Sequence, residues 1–195
     1  MKDLLKCRPW RLLWATLFLI GCGPTGPLQE QVYRGGALGT SYAIKLYSPD
    51  NSRLEGAIDS VFEVVNASLS TYIPDSDISR INRGDTSVVV DGMFREVFRA
   101  SGQIYERTDG YFDPTVGILV DAWGFGPGPE LAMDSTRVDS LLRYVGFDKV
   151  QLGEDGRLKK AYPGIRLDFN AIAKGYAVDR LAVMLEAAGI RDYLV

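Results

Sequence analysis

Hydrophobic positions change period several times along this chain, and each change predicts an element. Tyr42, Ile44 and Leu46 alternate with Ala43, Lys45 and Tyr47, the period of two expected of a half-buried strand. From Leu54 the spacing lengthens. Leu54, Ile58, Val61, Val65 and Leu69 recur every three or four residues and share one face of a helix. Ser52 followed by Glu55 reads as a capping box at its start. Met93, Val97, Ile104 and Tyr105 predict a second helix closed by Asp109-Gly110. Asp134 caps a third, with Val138, Leu141, Leu142 and Val145 inside and Gly146 at its end. Val150–Leu152 and Arg157–Lys159 flank Gly153-Glu154-Asp155-Gly156, a hairpin signal. A short apolar strand over 165–169 runs straight into another helix, for which Gly189 is the C′ residue, and a further strand begins at Ile190. Strands and amphipathic helices are mixed without strict alternation, which predicts an α+β fold.

The N-terminus follows a different rule. Lys2, Lys6, Arg8 and Arg11 precede an apolar run over 12–20 that is too short to span a bilayer. It ends in Leu19-Ile20-Gly21-Cys22, which resembles a bacterial lipobox. Residues 1–21 therefore read as a lipoprotein signal peptide and Cys22 as the lipidated residue. Residues 22–32 read as a tether without apolar periodicity, and 33–195 as the folded domain. Lipid chains at Cys22 would hold that domain on a membrane face rather than through it. The last residues, Arg191-Asp192-Tyr193-Leu194-Val195, end on an apolar strand, so the domain is expected to be incomplete at its C-terminus.

Composition narrows the chemistry. The chain has no histidine, and its two cysteines are Cys7 and Cys22, both outside the predicted domain. A Ser-His-Asp triad, a histidine base and a thiolate zinc site are excluded within these residues. A metal here has to use oxygen ligands, which favours Mg²⁺ or Ca²⁺. Lysine and arginine number 22 against 25 acids, a net charge of −3, and removing the signal makes the balance more acidic. Nucleic acid is not an expected partner.

Candidate chemistry concentrates at Leu167-Asp168-Phe169-Asn170-Ala171-Ile172-Ala173-Lys174-Gly175, where strand meets helix. A helix N-terminus offers unpaired N–H groups and about half a positive charge, which suits phosphate. A carboxylate beside it suits a hard cation. Asp168 or Asn170 serving only as a helix cap is equally compatible with these residues. Three loops add to the pattern. The first, 70–82, carries Tyr72 and Ile73 at a helix end, where an aromatic can stack on a flat ligand or cover the core edge. The second is Gly110-Tyr111-Phe112-Asp113-Pro114-Thr115-Val116-Gly117. The third, Trp123-Gly124-Phe125-Gly126-Pro127-Gly128-Pro129, sets aromatic rings among glycines that allow close backbone approach.

Taken together and in order, the chain resembles the ApbE-type FAD:protein FMN transferase family. The pieces are Gly39-Thr40-Ser41-Tyr42, then Ser70-Thr71-Tyr72 with Asp77-Ile78-Ser79-Arg80-Ile81-Asn82, then 110–117, then Trp123-Gly124-Phe125-Gly126, then 168–180. The resemblance covers about residue 32 to the end. It implies an ApbE-like mixed sheet packed with amphipathic helices. It implies a Mg²⁺-dependent enzyme that cleaves FAD, joins FMN through a phosphoester to a threonine or serine of a membrane redox protein, and releases AMP. It implies FAD contacts at Leu38, Tyr72, Tyr111, Phe112, Asp113, Asp168 and Lys174, and a Mg²⁺ ligand at Ala171 through its backbone carbonyl. Leu38 stands where the family usually has methionine, Phe169 where leucine is common and Asn170 where glycine is common. The catalytic residues proper, a second metal-ligand cluster and a histidine segment, are expected beyond Val195. The signal peptide fits a protein of the bacterial cell envelope, on the extracytoplasmic (periplasmic) side. Two other readings fit the same residues: an FAD pyrophosphatase releasing FMN and AMP, or a non-catalytic, lipid-anchored flavin-binding fragment.

Overall fold

The structure, a computed structural model, describes residues 26–49 and 53–195. The signal segment, Cys22 and Ser52 lie outside these residues. Strands β1 (Gln29–Ala37) and β2 (Thr40–Ser48) form an antiparallel hairpin whose register runs from Gln29↔Ser48 to Ala37↔Thr40. Along β2, Ile44 and Leu46 are fully buried and their neighbours face solvent, as the alternation predicts. Burying each such side chain contributes about 1.5–3 kcal/mol. β1 starts at Gln29, inside the stretch assigned to the tether. Its polar sequence hides the strand, and pairing with β2 supplies what periodicity does not. The loop is Leu38-Gly39, with φ of 51° and 72°, the two-residue turn that matches the twist of a hairpin. Leucine is an unusual occupant of that left-handed position.

Helix α1 (Glu55–Leu69) buries Ile58, Val65 and Leu69 as expected, together with Phe62, while Val61 is only partly covered. Its N-cap is Leu54, without a side-chain cap, so Glu55 is the first helical residue and not the third position of a capping box. The short helix α2 (Asp77–Asn82) is capped by Ser76, whose hydroxyl accepts from the Ser79 N–H. Helix α3 (Gly92–Arg107) is capped by Asp91, which accepts from the Phe94 N–H at 2.7 Å and from the Ser68 hydroxyl at 3.0 Å, tying α3 to the end of α1. It closes at Asp109 and Gly110, both at positive φ. After α4 (Gly117–Ala122) comes α5 (Ser135–Leu142), capped by Asp134 as predicted. No residue of α5 is buried, however, and Leu142 is 45% exposed, so its apolar face lies at the periphery and not inside.

Strands β3 (Val150–Leu152) and β4 (Leu158–Lys160) make the predicted small hairpin, with β4 starting one residue later than expected. Helix α6 (Asn170–Ala187) buries Ala173, Ala177, Leu181 and Leu185, a stripe four residues apart that packs on α1 and α3. Strand β5 (Asp192–Leu194) pairs antiparallel with β2, giving the order β1-β2-β5. Helices α1, α3 and α6 lie against this sheet around one core, in which Phe94 meets Phe169 edge-on at 5.3 Å. The fold is α+β.

The predicted strand over 165–169 is extended but forms no ladder; it has a single parallel bridge, Val116↔Arg166. Side chains and loops replace the neighbouring strand. The Asn82 side chain donates to the Leu167 carbonyl and accepts from the Leu167 N–H, both at 2.8 Å. The Gly117 N–H donates to the Arg166 carbonyl and the Asp168 N–H to the Pro114 carbonyl. Gly117 has to be glycine here, since a Cβ would sit 2.8 Å from the Arg166 carbonyl oxygen.

Candidate functional site

A cleft of about 940 Å³ opens between the hairpin tip, the end of α1, three loops and the start of α6. That is the upper end of the range of ligand pockets. Every residue singled out for the ligand lines it: Leu38, Tyr72, Tyr111, Phe112, Asp113, Asp168 and Lys174, together with Ala171. They come from segments far apart in sequence, and the fold brings them together.

Local chemistry explains why each segment stands where it does. The carbonyls at the end of α1 would be left open, but Ser76 and Ser79 donate their hydroxyls to the Ser70 carbonyl at 2.5 and 3.1 Å, and Ser79 also reaches the Thr71 carbonyl at 3.2 Å. This folds the chain back so that Tyr72, 58% exposed, stands at the cleft edge. The Tyr72 hydroxyl donates to the Phe125 carbonyl at 2.9 Å, linking the first loop to the glycine-rich one. Gly126 and Gly128 pack directly on the Asp121 carboxylate, where a Cβ would collide, and Asp121 pairs with Arg166. Tyr111 is almost wholly exposed at the rim, with Phe112 half-buried beside it. Asp113 turns one carboxylate oxygen inward, accepting from the Thr115 N–H at 2.8 Å and the Thr115 hydroxyl at 2.6 Å. Thr115 in turn accepts from the Gly146 N–H, so Asp113 also has a structural task.

At the floor, Asp168 precedes the N-cap residue of α6, Phe169. One of its oxygens accepts from the Asn170 N–H at 2.7 Å and the other from the Asn170 side-chain amide at 3.1 Å. Asp168 therefore closes a turn ahead of the helix and is not its N-cap. Burial raises the pKa of its carboxyl above the usual aspartate range; the Asn170 hydrogen bonds oppose this, Asp121 adds to it and Lys174 opposes it. Lys174 lies one turn into α6 on the exposed side. The helix N-terminus and this ammonium make the floor favourable to an anion, while the α1 residues Val65 and Leu69 and the aromatic rims make the walls apolar.

Some lining residues were not singled out from sequence. Phe125 carried a signal, an aromatic ring between two glycines. Val65 and Leu69 read simply as positions on a buried helix face, and nothing local distinguishes a cleft wall from an interior; Val120 carried no signal. The donor set does not by itself make a magnesium site. Among the described residues, no three acidic or histidine side chains converge on one point. Ala171 has only its backbone carbonyl to offer, and Asp168 contributes a carboxylate to the same cleft. Mg²⁺ requires a near-octahedral oxygen shell, which these two groups do not complete.

The fold and cleft thus define an α+β protein with a large cleft, apolar at its walls and favourable to an anion at its floor. The chain belongs to the ApbE family, whose profile its residues 38–195 match. It is 34% identical over 175 residues to the FAD:protein FMN transferase of Haemophilus influenzae, covering 83% of this chain and 50% of that protein. The Vibrio cholerae FAD:protein FMN transferase is 33% identical over 196 residues, 96% of this chain and 58% of the relative. The chain therefore spans about half the length of the curated relatives it matches. Among solved structures, the flavin transferase ApbE from Vibrio cholerae superposes with a TM-score of 0.79 at 31% identity, covering 86% of this chain and 56% of that one. The apo form of the Pseudomonas stutzeri flavinyl transferase ApbE gives 0.77 at 31% identity, covering 87% and 56%.

Proposed function

We propose that this chain forms the FAD-binding part of an FAD:protein FMN transferase. The observation that carries the reading is the single cleft in which apolar and aromatic walls lead to Asp168, Lys174 and the N-terminus of α6. The rings and Leu38 would hold the flat parts of FAD, and the floor would hold its pyrophosphate. An acceptor hydroxyl oxygen then bonds to the phosphorus of the FMN half. The phosphoanhydride bond to the AMP half breaks, AMP leaves with the bridging oxygen, and the hydroxyl proton passes to solvent. Catalysis of this kind is mostly positioning and charge neutralisation. Magnesium dependence belongs to the same reading, with Ala171 as one ligand. A bound ion would supply Lewis-acid neutralisation of the pyrophosphate, but Ala171 and Asp168 do not complete its shell. The acceptor is a membrane redox protein bearing a threonine or serine. Lipid chains on Cys22 anchor the enzyme to a membrane on the extracytoplasmic side; among the described residues no helix is long and apolar enough to cross a bilayer.

Two measurements test this reading. FAD fluorescence quenching with Tyr72→Ala and Tyr72→Phe is expected to give about tenfold weaker binding for alanine and nearly unchanged binding for phenylalanine, because stacking needs the ring. The phenylalanine variant loses only an exposed hydrogen bond to Phe125. Equal affinity in all three proteins would return Tyr72 to a packing role. Cys22→Ser is expected to leave the protein unprocessed or to release it from the membrane fraction. Cleavage before residue 22 with continued membrane association would refute lipid anchoring.

A further inference from the structure

Asp168 and Tyr72 border two cavities at once. Besides the large cleft they line a smaller pocket of about 260 Å³, whose other walls include Thr71, Arg83, Arg166 and Pro127-Gly128-Pro129. Its chemistry differs from that of the cleft. Pro127 and Pro129 have no N–H, and the Gly128 N–H is taken by Asp121 at 3.2 Å, so this stretch offers a ligand only carbonyl acceptors. Arg83 uses one N–H on the Pro74 carbonyl at 2.6 Å, and Arg166 pairs with Asp121. A guanidinium carries five N–H donors, so both arginines keep donors for a ligand. Carbonyl acceptors beside guanidinium donors match a peptide backbone, which alternates N–H and C=O along its length. The pocket has about a quarter of the cleft's volume, small for a flavin ring system. A transfer between two molecules needs both held at the reacting atoms, and the two cavities meet at Asp168.

We propose that the smaller pocket receives the acceptor, as a short extended peptide segment that presents its serine or threonine hydroxyl beside Asp168 to the flavin phosphate held in the cleft. The proposal rests on the transferase reading above and adds where the second substrate binds. Arg83 would grip the segment's carbonyls, and the proline-flanked loop would accept its N–H groups.

The test uses the complete protein, FAD and a purified acceptor protein carrying the target hydroxyl. Initial rates of FMN attachment are measured against acceptor concentration, and FAD affinity is measured separately by fluorescence quenching. Arg83→Ala removes a charged donor. Pro129→Trp narrows the pocket at an exposed position without removing a hydrogen bond, since proline donates none. Both variants are expected to raise the KM for the acceptor about tenfold with FAD affinity within twofold of wild type; Arg83→Lys should recover part of the loss. An unchanged acceptor KM in both variants overturns the pocket assignment while leaving the transferase reading intact. A parallel loss of FAD affinity in Pro129→Trp also overturns it, because the pocket would then belong to the flavin cleft. A wild-type protein that binds FAD but labels no acceptor removes the transferase reading and the pocket with it.

Discussion

Asp168→Ala is expected to reduce FMN transfer by the complete protein more than about a hundredfold, the scale seen when one preorganised charged or donor group is removed from a phosphoryl- or acyl-transfer site. The fold should persist. The Asp168 N–H still reaches the Pro114 carbonyl, and Asn82 still holds the neighbouring Leu167, so the loss is confined to the turn closed onto Asn170. Losing such a side-chain hydrogen bond costs about 1 kcal/mol. Asp168→Asn separates the two roles, because its amide oxygen can still accept from the Asn170 N–H while the charge is gone. Asparagine should fold like wild type yet remain as inactive as alanine. The pH dependence of stability gives a second readout. Burial favours the neutral acid in the folded state, so the folded protein holds this proton to higher pH than the unfolded chain. Its contribution is intact below the ordinary aspartate range and is lost as pH rises through the raised folded value. The unfolding midpoint of Asp168→Asn should therefore vary less with pH across that window. Transfer at the wild-type rate in either variant would remove Asp168 from the chemistry.

Asn82→Ala is expected to cause the largest loss of stability of any single polar substitution near the site. Its side chain occupies the place of a neighbouring strand, and alanine would leave both the N–H and the C=O of the fully buried Leu167 without partners. Each orphaned buried group costs about 1–3 kcal/mol, so the two together cost roughly 2–6 kcal/mol. Lys160 limits the damage, since its ammonium bridges the Ile81 carbonyl at 2.9 Å and the Ile165 carbonyl at 3.1 Å and keeps α2 beside the segment. Denaturant unfolding measures the cost, and FAD titration of the folded fraction measures the effect at Asp168, one residue away. Affinity should fall along with stability. A loss below about 0.5 kcal/mol would mean that water replaces the clamp, and that Asn82 is not what fixes the floor of the cleft.

Both predictions depend on residues whose importance was unevenly legible. The alternation of Tyr42, Ile44 and Leu46 and the spacing of Ile58, Val65 and Leu69 follow from burying one face of a strand or helix, so sequence alone placed them. Turn chemistry was equally local: Asp109-Gly110, Gly153 to Gly156 and Asp134 act as their residue types dictate. The same reasoning failed where a partner distant in sequence decided the outcome. β1 has a polar, glycine-containing sequence and becomes a strand because β2 supplies its ladder. The segment 165–169 has a strand's apolar pattern but no ladder, because Asn82, 85 residues before Leu167, satisfies its backbone instead. The apolar face of α5 has the right period yet covers nothing within the core.

The site divides in the same way. The resemblance to the ApbE family, carried by the order of short motifs along the sequence, implied which residues belong together, namely Leu38, Tyr72, the 111–113 run, Asp168, Ala171 and Lys174. Only the tertiary structure decided that Val65 and Leu69 form a wall, that Phe125 stands beside Tyr72, that Asp113 is half committed to Thr115 and that Asp168 borders two cavities. A cleft is the space between elements, and its shape depends on how distant segments pack. Residue type and periodicity report what a side chain prefers to touch; which elements leave a gap between them is fixed only when the core closes.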